Sequence, residues 1–161
     1  MMPVRYLCAP MPADENWIIG ICDRLLGEKS YRQHRFHFLL GLPSPGAGRR
    51  STLPVDAYYP SHGLVIEYHE RQHRGSLAFW NRITACGLTR DEQRRHYDNV
   101  RREELPKHGI KLIVLDYRSF ECDRRGRLRR TPAIEVKLRE HLADHLYKGP
   151  ITWPKSRPWK P

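Results

Sequence analysis

Two short β-type runs joined by a tight turn impose the strongest constraint on how this chain can fold. LPVDAYYP, residues 53–60, and LVIEYHE, residues 64–70, alternate apolar and polar side chains and are rich in β-branched and aromatic residues. Only the turn Ser-His-Gly, residues 61–63, separates them. A connection this short lets the second run return beside the first, so we predict an antiparallel hairpin.

The alternation within this hairpin separates polar from apolar side chains. The apolar positions are Val55 and Ala57 on the first strand, and Leu64, Ile66 and Tyr68 on the second. The polar positions between them include Asp56, Glu67 and His69. Cross-strand neighbours lie about 5 Å apart, so coinciding polar faces would bring these three side chains together. The sequence thus predicts a small acidic cluster in a basic protein.

These residue types suit phosphodiester hydrolysis assisted by a divalent cation. Two carboxylates with backbone carbonyls and water form a hard oxygen site of the kind that Mg²⁺ or Mn²⁺ occupies. Asp56 and Glu67 are the candidate ligands, and His69 is the candidate for orienting or deprotonating the attacking water. A structural alternative stays open, in which Asp56 is a polar turn-side residue and Glu67 pairs with a neighbouring arginine.

The rest of the chain alternates between helical and β-type patterns. Apolar spacing predicts a helix over Asp14–Glu28, and RFHFLL, residues 35–40, predicts a strand with Phe36, Phe38 and Leu40 on one face. Residues 71–88 show no clear period.

Three further elements follow in the second half of the chain. A charged segment, Thr89–His108, predicts a second long helix. IKLIVLDY, residues 110–117, is typical of a strand buried on both faces, and a last amphipathic helix is predicted over Pro132–Tyr147. The order α-β-β-β-α-β-α indicates a mixed α/β domain whose single four-stranded sheet is flanked by helices.

The length of 161 residues fits one compact domain. We predict that this domain covers residues 1–147 and that a tail rich in proline and tryptophan covers residues 148–161. The four cysteines form no CxxC pair, and no apolar run has the length of a signal peptide or a membrane span. These features predict a soluble cytoplasmic protein without a membrane partner.

A formal net charge of +11 favours a polyanionic partner, and nucleic acid is the first expectation. The same charge would also suit an anionic membrane, an acidic protein or a merely solvated surface. The candidate phosphate contacts are Arg71, Arg94, Arg101, Arg102, Arg124, Arg125 and Arg127. For the arginines on the predicted second helix, a solvated face with ion pairs is an equal alternative.

The segment VDAYYPSHGLVIEYHERQH, residues 55–73, resembles the signature of PD-(D/E)xK nucleases of the very-short-patch-repair-like branch. The resemblance extends over about residues 41–117, because HYDNVRREELPKHGIKLIVLDY is similar to the helix and strand that follow in that family. It implies a restriction-endonuclease-like core, Asp56 and Glu67 as metal ligands, and catalytic roles for His69 and His73. Gln72 is a weaker supporting candidate.

The resemblance also implies a glutamate from the first helix, which Glu15 or Glu28 could supply. Two departures bear on mechanism. His69 stands where the superfamily usually has a lysine, and His69 with Glu70 stands where many relatives carry Asp-Gly, which leaves open whether Glu70 replaces a carboxylate ligand.

We therefore expect a metal-dependent endonuclease that hydrolyses phosphodiester bonds of DNA in repair, restriction or phage defence. Since so short a chain has no room for a separate sequence-reading domain, a homodimer or a separate partner is a candidate source of specificity. Two alternatives remain open: a nucleic-acid-binding module that keeps the nuclease fold without turnover, and a domain that binds an acidic protein.

Overall fold

The computed structural model of this protein describes residues 13–46, 48–70, 77–124 and 127–146. Its elements, in chain order, are α1 (Asp14–Leu26), β1 (Tyr31–Pro43), β2 (Arg50–Tyr59), β3 (Leu64–His69), α2 (Leu77–Trp80), α3 (Arg90–Lys107), β4 (Lys111–Asp116) and α4 (Pro132–His141). The predicted order of long helices and strands is confirmed, and the one-turn helix α2 is added before α3. The predicted tail, residues 148–161, lies outside the described residues.

The described strands form one mixed sheet in the order β1-β2-β3-β4. β1, β2 and β3 are antiparallel neighbours, whereas β4 runs parallel to β3. The predicted hairpin is confirmed, with Ala57 opposite Ile66, and Gly63 closes its turn at φ 54°, a conformation that suits glycine. The protein is therefore an α/β domain whose four-stranded sheet is flanked by helices.

Two apolar clusters cover the sheet. The first contains side chains from α1 and α4 packed on Ala57, Leu64 and Ile66 of the hairpin. The second contains Leu105 of α3 packed on Val65 and on residues of β1 and β2. β3 contributes to both clusters and its residues from Leu64 to Tyr68 are all buried, so this strand forms the centre of the fold.

β1 is longer than predicted and its faces differ from the prediction. It covers 13 residues instead of RFHFLL alone, and its register with β2 shifts between Arg35 and Leu40. Leu39 is consequently buried and Leu40 is 36% exposed, so placing Leu40 on the face of Phe36 was wrong. From the pair Arg35 with Pro54 to the pair Leu40 with Thr52, β1 advances five residues while β2 advances two, and an odd surplus exchanges the faces of the residues beyond it.

The strand predicted to be buried on both faces is covered on both faces but lies at an edge of the sheet as described. β4 pairs with β3 alone, and only Leu115 among its residues is fully buried. Leu112 and Ile113 pack against the two opposite clusters but stay partly exposed. Both faces of β4 are thus covered while its outer edge is not paired with a described strand.

The helix ends follow local sequence signals. α1 ends at Leu26 and is capped by Gly27, where φ is 67°, and α3 begins with a capping box in which Thr89 and Glu92 bond each other's backbone N–H groups. α4 ends at His141, earlier than predicted, and a 3-10 turn, Ala143–His145, follows it. Among the described residues no helix combines the length and apolar character needed to cross a lipid bilayer.

Candidate active site

Asp56 and Glu67 brace the hairpin at the point where its two strands part. The paired ladder between β2 and β3 reaches Ala57 and Ile66. Beyond it, the Asp56 backbone N–H donates to Glu67 Oε1 at 3.1 Å. In the other direction the Tyr68 N–H donates to Asp56 Oδ2 at 2.9 Å. Each carboxylate is therefore held by a backbone donor of the opposite strand, which fixes both acids in one place.

Glu67 is almost fully buried, with 6% of its surface exposed. Burial raises its pKa to about 8, and the nearby Asp56 carboxylate adds to this rise, while the Arg101 guanidinium acts against it. The Arg101 Nε lies 3.5 Å from Glu67 Oε1. A buried carboxyl group beside another carboxylate is electrostatically unfavourable when ionised, and a cation between the two would relieve that cost.

The first helix adds Glu15 to this cluster. Burial raises the pKa of Glu15, and Asp56 and Glu70 raise it further, although Arg32 opposes them. The Glu15 backbone N–H also donates to Glu70 Oε1 at 3.4 Å. Of the two glutamates that the sequence left open on this helix, the structure brings Glu15 to the acids.

Glu28 lies elsewhere. Its carboxylate accepts hydrogen bonds from the backbone and hydroxyl of Ser61 and lies 3.9 Å from His62 Nε2, at the turn of the hairpin. This turn is at the opposite end of β3 from Glu67 and His69. Glu28 is therefore not part of the carboxylate cluster.

The carboxylates open into a cleft of about 420 Å³. Its lining residues come from α1, β2, β3, α2 and α3, and they are Glu15, Asp56, Glu67, Tyr68, His69, Glu70, Trp80, Arg90, Gln93, Arg94, Tyr97, Asp98 and Arg101. Carboxylates come from α1, from β2, from β3 with Glu70 directly after it, and from α3 with Asp98, and α3 also contributes three arginines. The cleft thus combines acids that suit a cation with guanidinium groups that suit phosphate.

His69 follows Glu67 into the cleft, as the alternation predicts. Its Nε2 lies 4.0 Å from Asp98 Oδ1 of α3, and burial lowers its pKa, with Asp98 opposing this shift. The imidazole is consequently neutral at neutral pH and able to accept a proton. Asp98 was not predicted from the sequence. The signal for Asp98 was the spacing of acid and arginine along one helix face, since Asp98 pairs with both Arg94 and Arg101.

Arg101 is held by groups of the protein itself. Its guanidinium donates to the Pro54 carbonyl at 2.9 and 3.2 Å and to Asp98 at 3.2 Å, and its side chain is 13% exposed. Arg94 also lines the cleft but is more exposed, at 36%. Arg90, which was not predicted from the sequence, lies there too, with its guanidinium 4.2 Å from the centre of the Phe79 ring.

Three other predicted arginines, Arg102, Arg124 and Arg127, do not line this cleft. Arg102 lies on α3 in a separate groove that β4 also lines. Arg124 and Arg127 are exposed, in a loop whose Leu128 N–H donates to the Asp14 carboxylate at the start of α1. Arg71, Gln72, His73 and Arg125 lie outside the described residues.

Two residues of β1 complete the surroundings of the acids, and no motif in the sequence pointed to them. Gln33 Nε2 donates to Asp56 Oδ1 at 3.3 Å, and Arg32 Nη1 lies 3.9 Å from Glu15 Oε1. Only the register between β1 and β2 identifies them, because β1 places them beside Asp56.

The carboxylates of the cleft suit Mg²⁺ or Mn²⁺, which keep several water ligands. They suit less well a metal whose ligands all come from the protein. Within the described ranges, no three or more His, Cys, Asp or Glu side chains form a ready-made metal site. Mg²⁺ does not require one, since it keeps several waters and commonly binds one or two carboxylates together with substrate phosphate. The braced pair Asp56 and Glu67, with Glu15 nearby, matches that requirement.

Comparisons of this chain with protein-family models, with curated proteins and with solved structures find no match in any of the three.

Proposed function

We propose that this protein is a divalent-cation-dependent endonuclease that hydrolyses phosphodiester bonds of DNA, with the restriction-endonuclease-like core that its sequence resembles. The observation that carries the proposal is the reciprocal bracing of Asp56 and Glu67 beside a cleft that also holds arginines. A buried carboxyl group next to a second acid is costly for folding, and such arrangements are concentrated at functional sites. The net charge of +11 fits a polyanionic substrate.

Asp56 and Glu67 would hold the Mg²⁺ or Mn²⁺ ion, with Glu15 beside them. When bound, such an ion supplies a lowered pKa for water and charge stabilisation at the phosphate. The Asp56 and Glu67 carboxylates each keep free lone pairs, because each oxygen accepts at two positions and the backbone donors use only part of this capacity. Both acids can therefore bind a cation without giving up the bonds that brace the hairpin.

His69 is the group best suited to accept the proton of the attacking water, because its lowered pKa keeps the imidazole neutral. The partly exposed Arg94, with Arg90, would bind phosphates beside the reacting one. Arg101 would hold Glu67 and Asp98 in place from the protein side, since its donors are directed to Asp98 and the Pro54 carbonyl.

The direct test is incubation of supercoiled and linear plasmid with the purified protein in Mg²⁺, in Mn²⁺ and in EDTA. We expect nicked and linear products with either cation and none in EDTA. Supercoiled DNA that stays intact under all three conditions, with a folded and monodisperse protein, would contradict the proposal.

Glu15 and Glu28 offer a matched pair of substitutions on one segment of chain. Glu15→Gln is expected to lower the cleavage rate about 10-fold to 100-fold, because it removes a carboxylate from the cluster around the cation. Glu28→Gln is expected to cleave like the wild type, because Glu28 contacts Ser61 and His62 at the far end of the hairpin. Initial rates at saturating Mg²⁺ measure both, and equal losses in the two variants would exclude Glu15 from the site.

A binding module without turnover is the second candidate. It is favoured by one observation: among the described residues no lysine lines the cleft, and His69 occupies the position of the family's lysine. This candidate predicts that plasmid is retained by the protein in an electrophoretic assay, with an affinity that falls steeply with salt, while no cleavage occurs with any cation.

A further inference from the structure

Gln33 has an unusual backbone conformation for its place in the fold. Its φ is 50°, and it is the only non-glycine residue with positive φ among the described residues. It lies within β1 and not in a turn, where such a conformation would be common. Residues other than glycine rarely adopt positive φ, because their Cβ clashes with the backbone. Those that do so are concentrated at functional sites, where the site requires a particular side-chain direction.

The Gln33 side chain points toward the carboxylates of the cleft. The pairs Arg32 with Ala57 and His34 with Val55 place Gln33 directly across from Asp56. Its carboxamide Nε2 donates to Asp56 Oδ1 at 3.3 Å, and the Gln33 side chain also lies close enough to the Glu15 carboxyl group to lower its pKa. Gln33 therefore bonds an acid of β2 and lies beside an acid of α1.

A carboxamide is suited to this position by its charge and its donors. Its NH₂ group has two N–H donors, so one neutral side chain can bond two carboxylates. A lysine or arginine here would neutralise the negative charge that attracts a cation, and a glutamate would add a further repulsive carboxylate. The neutral amide holds the two anions close while leaving their charge available.

We propose that Gln33 is a positioning residue of the carboxylate cluster, spanning Asp56 and Glu15 so that both direct free oxygen lone pairs to one divalent cation. This inference rests on the proposed function, because it concerns the cation that the function requires. It assigns to β1, which carries no acid of the cluster, a role in setting the geometry of the site.

The test compares Gln33→Gly with His37→Gly. Glycine tolerates positive φ, so Gln33→Gly removes the side chain and relieves the backbone, and its melting temperature in EDTA is expected to stay equal or rise by about 2–4 °C. Its affinity for Mn²⁺, measured calorimetrically on the protein alone, is expected to fall about 10-fold. His37 is exposed on the same strand with an ordinary φ, so His37→Gly is expected to lower the melting temperature and leave Mn²⁺ affinity unchanged.

The outcomes separate this inference from the nuclease proposal. If the wild type binds Mn²⁺ but does not cut plasmid, and Gln33→Gly weakens that binding, the positioning role stands and the nuclease activity fails. If Gln33→Gly binds Mn²⁺ as tightly as the wild type, the role of Gln33 is overturned even when the wild type cleaves. A wild type that binds no Mn²⁺ at millimolar concentrations overturns both.

Discussion

Asp56→Asn is expected to lower the rate of Mg²⁺-dependent plasmid cleavage by about 1000-fold or more while the protein stays folded. Loss of cation binding removes several kcal/mol of transition-state stabilisation, and each 1.4 kcal/mol corresponds to about a tenfold change in rate. Asparagine keeps the size of the side chain and one oxygen, which can still accept the Tyr68 N–H. The negative charge is the main property that is lost, so the effect is expected on catalysis and not on the hairpin.

The measurement is the initial rate of nicking of supercoiled plasmid, with circular dichroism to verify folding. Asp144→Asn is the matched control, because its side chain is 84% exposed and its described contact is with Lys111, at the start of β4. This control is expected to cleave at the wild-type rate. An Asp56→Asn protein that keeps more than about a tenth of the wild-type rate would exclude Asp56 as a metal ligand.

Glu67→Gln is expected to abolish cleavage and, in EDTA at pH 8, to make the protein more stable than the wild type by about 1–3 kcal/mol. The stability gain follows from the pKa of Glu67, which burial raises from its ordinary value of 4.5 to about 8. One pKa unit corresponds to about 1.4 kcal/mol, and loss of the charged contact with Arg101 offsets part of the total. Glutamine keeps an oxygen that can accept the Asp56 N–H.

The pH window follows from the direction of the shift. Below pH 4.5 the Glu67 carboxyl group is protonated in both the folded and the unfolded chain, so the raised pKa has no cost there. Between pH 4.5 and about 8 the unfolded chain ionises while the folded chain keeps its proton, and the free energy of unfolding falls. The wild type is therefore expected to lose stability relative to Glu67→Gln across this window, with no further change above it.

Chemical denaturation at pH 5, 6.5 and 8 in EDTA measures this difference. Glu135→Gln is the control, since its side chain is 40% exposed and pairs with Arg139 on the surface, where an ion pair contributes little at any pH. Saturating Mn²⁺ is expected to stabilise the wild type and not Glu67→Gln. If Glu67→Gln is instead the less stable protein in EDTA at pH 8, then Glu67 serves as a structural partner of Arg101 and the site assignment fails.

Asp56 and Glu67 differ in burial, so their replacements test different properties of the protein. Asp56 is only partly buried and is held by a backbone donor, so its replacement tests binding and catalysis. Glu67 is buried in the central strand, so its replacement also tests whether a carboxylate at this position lowers the free energy of unfolding. A gain in stability together with a loss of activity is the relation expected of a residue retained for function.

Local sequence determined the hairpin, the long helix α3 and the pair Asp56 and Glu67. A three-residue turn that ends in glycine and a period-two pattern on either side depend on neighbouring residues only, so they can be read without the fold. The same holds for the start of α3, where Thr89 and Glu92 form a cap within four residues of chain.

Three features could be known only from the tertiary structure. Glu15 and not Glu28 lies beside the acids, Leu40 is exposed, and β4 lies at the described edge of the sheet. The tertiary structure also buried Glu67 and brought Gln33 opposite Asp56. Each of these depends on which strand or helix packs beside which, and on a register shift that leaves no mark in the alternation. A pattern of spacing defines the faces of one element, whereas the pKa of a carboxyl group and the neighbours of an acid depend on contacts between residues distant in the chain.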